Sequence, residues 1–403
     1  MASPTEAVAA GSSVNTILLG RALRAFADGY VAVLLPAYLL ALGFNQFQVG
    51  LVSTSTLAGS ALATLAVGSL GHRWPQHRLL VGAALLMAFT GIGFSSLASF
   101  WPLLLVAFVG TLNPSSGDVS VFLPLEHAHL AAAAAADART RLFARYTLTG
   151  SLCAAVGALA SAIPAWVATR YGLPLLDALR AMFMLYGLIG AGIWLMYRGL
   201  ASGGDSRERP APLGVSRRTV FKLAALFSID AFAGGLVVNS LLALWLFDRF
   251  GLSLAEAGAF FFWAGLLTTA SQWVAPRVAS RIGLLNTMVF THIPANICLV
   301  LAALAPSLEA TLALLFARSA LSQMDVPTRS AYVMAVVTPA ERVAAASFTA
   351  VPRSLAAAAS PALGGALLAA GFLGAPLIAC GSLKIVYDLA LLYLFRHHQS
   401  VED

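Results

Sequence analysis

The chain has 403 residues, of which 59% are hydrophobic and only 10% charged, with a mean hydropathy of +0.84. A soluble domain carries about 25% charged residues, so this composition excludes an ordinary soluble protein and describes an integral protein of a lipid bilayer. The net charge of +7 then reads as loop residues that set orientation, not as a surface for nucleic acid.

The first apolar run, Val14–Leu42, exceeds the ~20 residues needed to span a bilayer. It holds Arg21, Arg24 and Asp28 within two turns. A charge at the centre of such a helix costs at least ~2.5–3.5 kcal/mol, so these groups must face protein or water. Arg24 and Asp28, four residues apart, share a helix face and can pair; Arg21 lies one turn earlier on the same side. Residues 1–13 lack a basic n-region, so this run is expected to stay attached as the first helix and not to be cleaved as a signal peptide.

A short turn at Gly43-Phe-Asn-Gln leads to a second span, Gln48–Leu70, rich in small residues that let helices pack closely in lipid. After the basic loop 71–78, spans three and four run over Leu79–Ala98 and Trp101–Leu125. A polar, basic stretch with an alanine run, Glu126–Arg141, precedes spans five and six, Leu142–Ala168 and Leu173–Tyr197. The polar, Pro/Gly-rich stretch Gly199–Arg218 is the clear linker. Six more spans follow: Thr219–Phe247, Leu254–Ala275, Leu284–Ala305, Glu309–Val337, Val343–Ala370 and Ala375–Phe395. The expected domains are therefore 1–198, the linker 199–218 and 219–403.

With both termini on one side, the basic residues at Arg73/Arg78, Arg139/Arg141, the linker, Arg277/Arg281, Arg342 and Arg396 fall together, and Arg170 and Arg249 fall opposite. The positive-inside rule makes the first side cytoplasmic. The fold class is an all-α integral membrane protein of about twelve helices, both termini inside.

The halves also repeat. Ala25-Phe26-Ala27 recurs as Ala231-Phe232-Ala233, followed by Gly29 and Gly235; Gly43–Gly50 matches Gly251–Gly258; and Gly172-x-Pro174-Leu175 matches Gly374-x-Pro376-Leu377. Duplicated halves related by an axis along the membrane normal are a common way to build a central transport site.

The loop after the second span reads Gly68-Ser-Leu-Gly-His72-Arg73-Trp-Pro75-Gln-His77-Arg78. Here the chain resembles the major facilitator superfamily, whose signature at this place is G-x-x-x-D-R-x-G-R-R. Gly68, Arg73 and Arg78 match, while His72 replaces the acid and Pro75 a glycine. The second half has Ser280-Arg281-Ile-Gly283 at the corresponding loop. The resemblance implies two pseudo-symmetric six-helix bundles and alternating access, with Gly68, Arg73, Arg78 and Arg281 in the cytoplasmic gating loops. A basic loop that only sets topology is the plainer reading. The run Ala356–Gly365 resembles the G-x-x-x-G-P-x-x-G-G motif of the family's antiporters but falls on the eleventh span, not the fifth, and close packing of small residues explains it equally well.

Intramembrane acids are functional candidates by default. Asp28 ranks first as a proton-coupling group, Asp230 second, then Asp118 and Asp325. Two further i,i+4 pairs, Asp325/Arg329 and Lys384/Asp388, are open to a self-neutralising reading. Asp230, Asp118, Arg318 and Arg353 have no opposite charge one turn away. Asp230 holds the repeat-equivalent position of Arg24, which places an acid opposite a base across the pseudo-two-fold. Arg24, Asp230 and Arg353 lie nine or ten residues into their helices, or roughly 15 Å deep, where such transporters bind substrate. Arg24, Arg329, Arg353 and Arg21 are candidates for substrate or counter-charge. Prolines and glycines beside the charges, at Asn113-Pro114, Pro327 and Pro352, favour a cavity over plain packing. His292 reads as a hydrogen-bonding core residue or a group titrating near neutral pH.

No Walker, Rossmann or HExxH pattern occurs, and Cys153, Cys298 and Cys380 form no metal-ligand spacing, so no cofactor, metal or enzymatic role is expected. The sequence points to a monomeric secondary transporter of a cytoplasmic membrane, carrying a small organic solute and coupled to protons. The alternatives are an uncoupled facilitator, or a non-transporting receptor or lipid-handling protein on the same scaffold. A sensor would carry a soluble output domain, which the linker does not provide.

Overall fold

The computed structural model describes residues 4–70, 74–115, 120–133, 136–200, 214–338 and 341–396. Of the expected linker, residues 201–213 lie outside these, as do Arg73 and Asp118. The described residues form α-helices joined by short turns and contain no strand. The first unit of the fold takes its helices from α1 (Pro4–Ala41), α2 (Gln46–Leu70), α3 (Gln76–Ser96), α4 (Phe100–Val109), α5 (Phe122–Ala133), α6 (Ala136–Ala160), α7 (Ile163–Tyr171) and α8 (Leu175–Tyr197). The second draws on α9 (Arg217–Gly235), α10 (Asn239–Phe250), α11 (Leu254–Ile282), α12 (Leu284–Leu304), α13 (Leu308–Leu321), α14 (Asp325–Ala335), α15 (Arg342–Ala359), α16 (Pro361–Ala369) and α17 (Ala375–Phe395).

Chain contacts refine this division at two places. Gln46–Thr54 of α2 belongs with the second unit, and Ser253–Phe262 at the start of α11 belongs with the first.

Eight helical segments among the described residues are long and apolar enough to cross a membrane, and all eight fall on expected spans. The other four expected spans correspond to α4–α5, α11, α13–α14 and α15–α16. The fourth span, expected as one helix over Trp101–Leu125, is interrupted after Val109 and resumes at Phe122. Its Asn113-Pro114 step removes a ladder hydrogen bond, and the Asn113 side chain instead accepts from the Ser115 amide and hydroxyl at 3.2 and 2.7 Å. The resumed helix turns Glu126, expected at the edge of a polar loop, into a fully buried residue. Spans five, seven, ten and eleven are likewise each built from two helices.

Each unit packs its first span against its fifth and its third against its sixth: α1 on α6 and α3 on α8, then α9 on α15 and α12 on α17. Glycine makes the first of these contacts possible. A Cβ at Gly29 would fall 2.1 Å from the Ala154 carbonyl oxygen, and one at Gly157 would fall 2.0 Å from that of Phe26. In the second unit a Cβ at Gly235 would meet the Ala357 carbonyl at 2.4 Å and one at Gly364 the Leu236 carbonyl at 2.5 Å. The matched glycines of the repeat are thus contact points between paired helices. Gly364 also gives the antiporter-like run its plainer meaning, close packing.

The second unit's core gathers Val220, Leu223 and Phe227 of α9, Met288 and Val289 of α12, Tyr332 and Val333 of α14, and Tyr387 and Leu391 of α17. With Ala345 of α15, five helices converge there, just beside the charged groups described next.

Candidate functional site

Each unit encloses its own cluster of buried charge. In the first, α1 supplies Arg24 and α5 supplies Glu126. The Arg24 guanidinium binds the carboxylate in fork geometry, Nη1 to Oε1 and Nη2 to Oε2, both at 2.7 Å. Tyr146 of α6 and Tyr197 of α8 add their hydroxyls to the same carboxylate, each at 2.5 Å. Four donors therefore satisfy Glu126, and the Phe122 ring, one turn earlier on α5, lies 4.1 Å from the Arg24 carbon. Arg21 stacks over the Tyr146 ring at 5.0 Å. Two glycines leave room: a Cβ at Gly20 would strike the Tyr197 hydroxyl at 2.2 Å, and one at Gly150 would strike Arg21 Nε at 2.4 Å. Asp28 is buried one turn beyond Arg24.

Arg24 and Asp230, expected to face each other, each bind partners within their own unit. Both terminal nitrogens of Arg24 engage Glu126, and Asp230 takes its partners from its own unit. Lys384 Nζ of α17 donates to Asp230 Oδ1 at 2.5 Å, and Arg329 Nη1 of α14 donates to Oδ2 at 3.0 Å. Arg329 also pairs with Asp325 at 3.4 Å, the i,i+4 pair expected from sequence. The Lys384/Asp388 pair, the other expected local bridge of this unit, is replaced by longer-range ones. The lysine stem crosses to α9, and Asp388 turns to α12, where His292 Nδ1 stands 3.0 Å from both its oxygens. Asn296, one turn along α12, donates to the same carboxylate at 3.5 Å.

Arg353 on α15 is half-buried, its Nε has no hydrogen-bond partner among the described residues, and it stands in the field of Arg329, Asp230, Asp325 and Tyr387. Arg318 on α13 stands instead in the field of Cys380 and Cys298, and its Nε also has no partner among the described residues. Of the expected gating-loop residues, Gly68, Arg78 and Arg281 are exposed at helix ends, and Gly68 has open space around its Cα.

A different polar cluster closes the end of α9. Glu341, between α14 and α15, accepts from the amides of Gly214 and Ser216 (the latter at 3.3 Å) and from the Thr338 hydroxyl at 2.8 Å. The Ser216 hydroxyl, the Gly214 amide and the Thr338 hydroxyl pull its carboxyl down to about 2. A carboxylate at a helix N-terminus is also favoured by the helix dipole.

The sequence reading missed Glu126 and His292–Asp388 as paired sites. Glu126 follows an apolar run and precedes a basic one, the pattern of a span meeting a cytoplasmic loop. Arg24 was the available signal, because a buried guanidinium demands a carboxylate. For Asp388 the i,i+4 lysine masked the partner on another helix.

These clusters lie inside a scaffold with known counterparts. A family model described as Major Facilitator Superfamily matches residues 17–322. The chain is 23% identical over 410 residues to the membrane protein YJR124C of Saccharomyces cerevisiae, covering 93% of this chain and 92% of that one. It is 26% identical over 305 residues to the MFS-type transporter YcaD of Salmonella arizonae, covering 73% and 75%. In structure it resembles the nucleoside transporter NupG, with a TM-score of 0.72, 14% identity and coverage of 96% of this chain and 99% of that one. A helical, repeat-built membrane chain, matched by the family model over most of its length, belongs to the Major Facilitator Superfamily and is a multi-pass membrane transporter.

Proposed function

We propose that the protein is a secondary active transporter that moves a small organic solute by alternating access between its halves, residues 1–198 and 219–403, driven by the proton gradient. It works as a monomer in a cytoplasmic membrane with both termini inside. The observation that carries this reading is acid buried within the membrane beside shared cations. Asp28 sits one turn from an arginine already committed to Glu126, and Asp230 and Asp325 divide Arg329 between them. Charges with alternative partners exchange them at low cost when helices shift, and Arg24, though held on Glu126, still offsets the charge of Asp28 one turn away. Asp28 and Asp230 are the coupling groups, and Arg21, Arg24 and Arg329 are their counter-charges. Asp118 remains a further candidate.

Flux into proteoliposomes with and without an imposed pH gradient tests the reading. A solute panel should reveal one compound that accumulates only with the gradient. Asp28→Asn should abolish accumulation while leaving solute exchange intact. Net flux that ignores the gradient would sink proton coupling, and full accumulation in Asp28→Asn would reduce that residue to a structural role.

A further inference from the structure

The second unit's buried charges form one file of alternating sign across four helices. It runs His292 (α12), Asp388 and Lys384 (α17), Asp230 (α9), Arg329 and Asp325 (α14). Lys384 and Asp388 are one turn apart on α17, so the His292–Asp388 pair joins the rest through a single helix face. Asp230, Asp325 and Asp388 balance Lys384 and Arg329 only if His292 is protonated. With His292 neutral, one negative charge is left over, and Arg353, which stands in the field of this file, compensates it. Net charge in a low-dielectric interior is costly, so the protonation of His292 and the demand on Arg353 are linked.

Among the described residues, three donors around the file lack an acceptor: the Tyr332 hydroxyl, on the apolar-core side, and two that flank His292 and Asp230. Among the described residues neither Arg353 Nε nor the Tyr387 hydroxyl has a partner, although Tyr387 is only 2% exposed. Arg353 and Tyr387 stand in each other's field, and the Tyr387 ring packs edge-on against His292 with centroids 6.2 Å apart. Buried donors are normally satisfied, and these two invite the oxygens of an anion. The groups that bond to His292 and Asp388, or act on them and on the neighbouring Asp230, are Asn296 of α12, Lys384 and Tyr387 of α17, Asp230 of α9, Arg329 of α14 and Arg353 of α15, while Asp325 pairs with Arg329 and Tyr332 joins the apolar core with Tyr387. Arg318 is a fixed positive charge in the field of Cys298 and Cys380 and does not alter the linkage.

We propose that the transported solute is an organic anion bound by Arg353 and Tyr387, and that its site takes up a proton of its own at the His292–Asp388 pair, distinct from the proton exchanged at the coupling groups Asp28 and Asp230, the latter ionised while the anion is bound. This rests on the proton-coupled reading above and names its substrate class. Binding of the anion relieves the positive excess left when His292 takes a proton. By reciprocity the anion draws a proton onto His292, and the proton tightens the anion.

The test uses the purified full chain in detergent with benzoate, succinate, inorganic phosphate, choline and uridine as probes, reading thermal unfolding at pH 5.5 and 7.5. At least one of the three anions should raise Tm at pH 5.5 and do so less at pH 7.5. Its affinity should fall by up to about tenfold per pH unit through the titration, the slope of one linked proton. Mixing it with unbuffered protein should remove about one proton per anion bound, read with a pH dye. Arg353→Gln should abolish the shift, Arg353→Lys should retain part of it, and Tyr387→Phe should weaken binding severalfold. His292→Gln should still bind but lose the proton uptake. Unliganded Tm checks folding of each variant, and Arg353→Lys with the wild-type dye signal carries the test if His292→Gln fails to fold. No shift with any of the three anions overturns the proposal. So does a shift that survives Arg353→Gln, vanishes instead in Arg318→Gln, or takes up no proton. Gradient-driven accumulation of choline or uridine overturns the anion assignment and leaves proton-coupled transport standing. Flux indifferent to the gradient removes the transport reading, a result these gradient-free binding measurements do not touch.

Discussion

At the scale of single residues, the two carboxylates with the most donors make opposite demands on pH and on mutation. Glu126 is sealed, with two bonds from Arg24 and two tyrosine hydroxyls. Removing one member of a buried pair costs about 3–5 kcal/mol, because the remaining charge is uncompensated. Glu126→Gln should therefore lower thermal stability sharply, and Arg24→Met combined with it should recover part of the loss. Tyr197→Phe, which removes one bond to a charged group, should cost only about 1.5–3 kcal/mol. A Glu126→Gln variant as stable as wild type would make the pair dispensable. Glu341 lies outside the spans, where its folded-state value of about 2 is depressed from an ordinary 4.5. A depressed acid stabilises the folded state above its ordinary value and loses that contribution as pH falls. The difference in Tm between wild type and Glu341→Gln should thus be constant above about pH 5 and shrink toward zero as pH approaches about 2. A difference that grew on acidification would reverse the sign and refute the assignment.

At the scale of elements, the paired helices depend on missing side chains. Gly157→Ala should push α6 off α1, since the new Cβ would lie 2.0 Å from the Phe26 carbonyl oxygen; overpacking of this kind costs about 1–3 kcal/mol. Gly192→Ala on α8, with open space around it, should be neutral or stabilising by up to about 1 kcal/mol. Equal melting temperatures for the two variants would refute the close α1–α6 contact. The spans themselves were legible because apolar runs of bilayer length with few charges have few other uses, and the repeated glycines Gly29 and Gly235 turn out to sit at helix contacts. The interruptions were not. Ser360-Pro361 reads as a packing motif, and Leu236–Val238 lies inside a continuous apolar run, yet both end helices. Periodicity reports which residues avoid water and says little about where the backbone ladder breaks when neighbours can satisfy it. The charge sites divide the same way. Asp325/Arg329 follows from spacing on one helix, whereas Asp230/Lys384 and Asp388/His292 depend on which helices pack together.

At the scale of the whole molecule, the distribution of basic residues makes a prediction about orientation. A fluorescent protein fused after Arg396 should fold and fluoresce, and alkaline phosphatase at the same place should stay inactive, because both report a cytoplasmic end. Phosphatase fused after Tyr171, beside Arg170, should be active. The reverse pattern would invert the chain in the membrane and exchange the sides on which Glu341 and the turn at Gly251 lie. Gly43 and Gly251, which close corresponding turns of the two halves, share a left-handed backbone with φ of 87° and 66°. The duplication therefore extends to backbone conformation at this turn.

The paired helix breaks of α9/α10 and α15/α16 have a mechanical consequence. Ser360 donates its hydroxyl to the Phe232 carbonyl at 2.5 Å, and Gly364 lies against Leu236, so the two interruptions occur at the same level. A continuous helix resists bending through its ladder of peptide bonds, and at these levels part of that ladder is missing. Two adjacent rods notched at one height form a seam, with stiffness above and below it and compliance within it. Amide hydrogen exchange should locate the seam, running faster at 236–238 and 360 than in the flanking turns. Uniform protection across those residues would mean the notches are braced. If the seam is soft, α10 and α16 swing as one lever, and the side-chain hydroxyl of Ser360 is the rivet that keeps them in step.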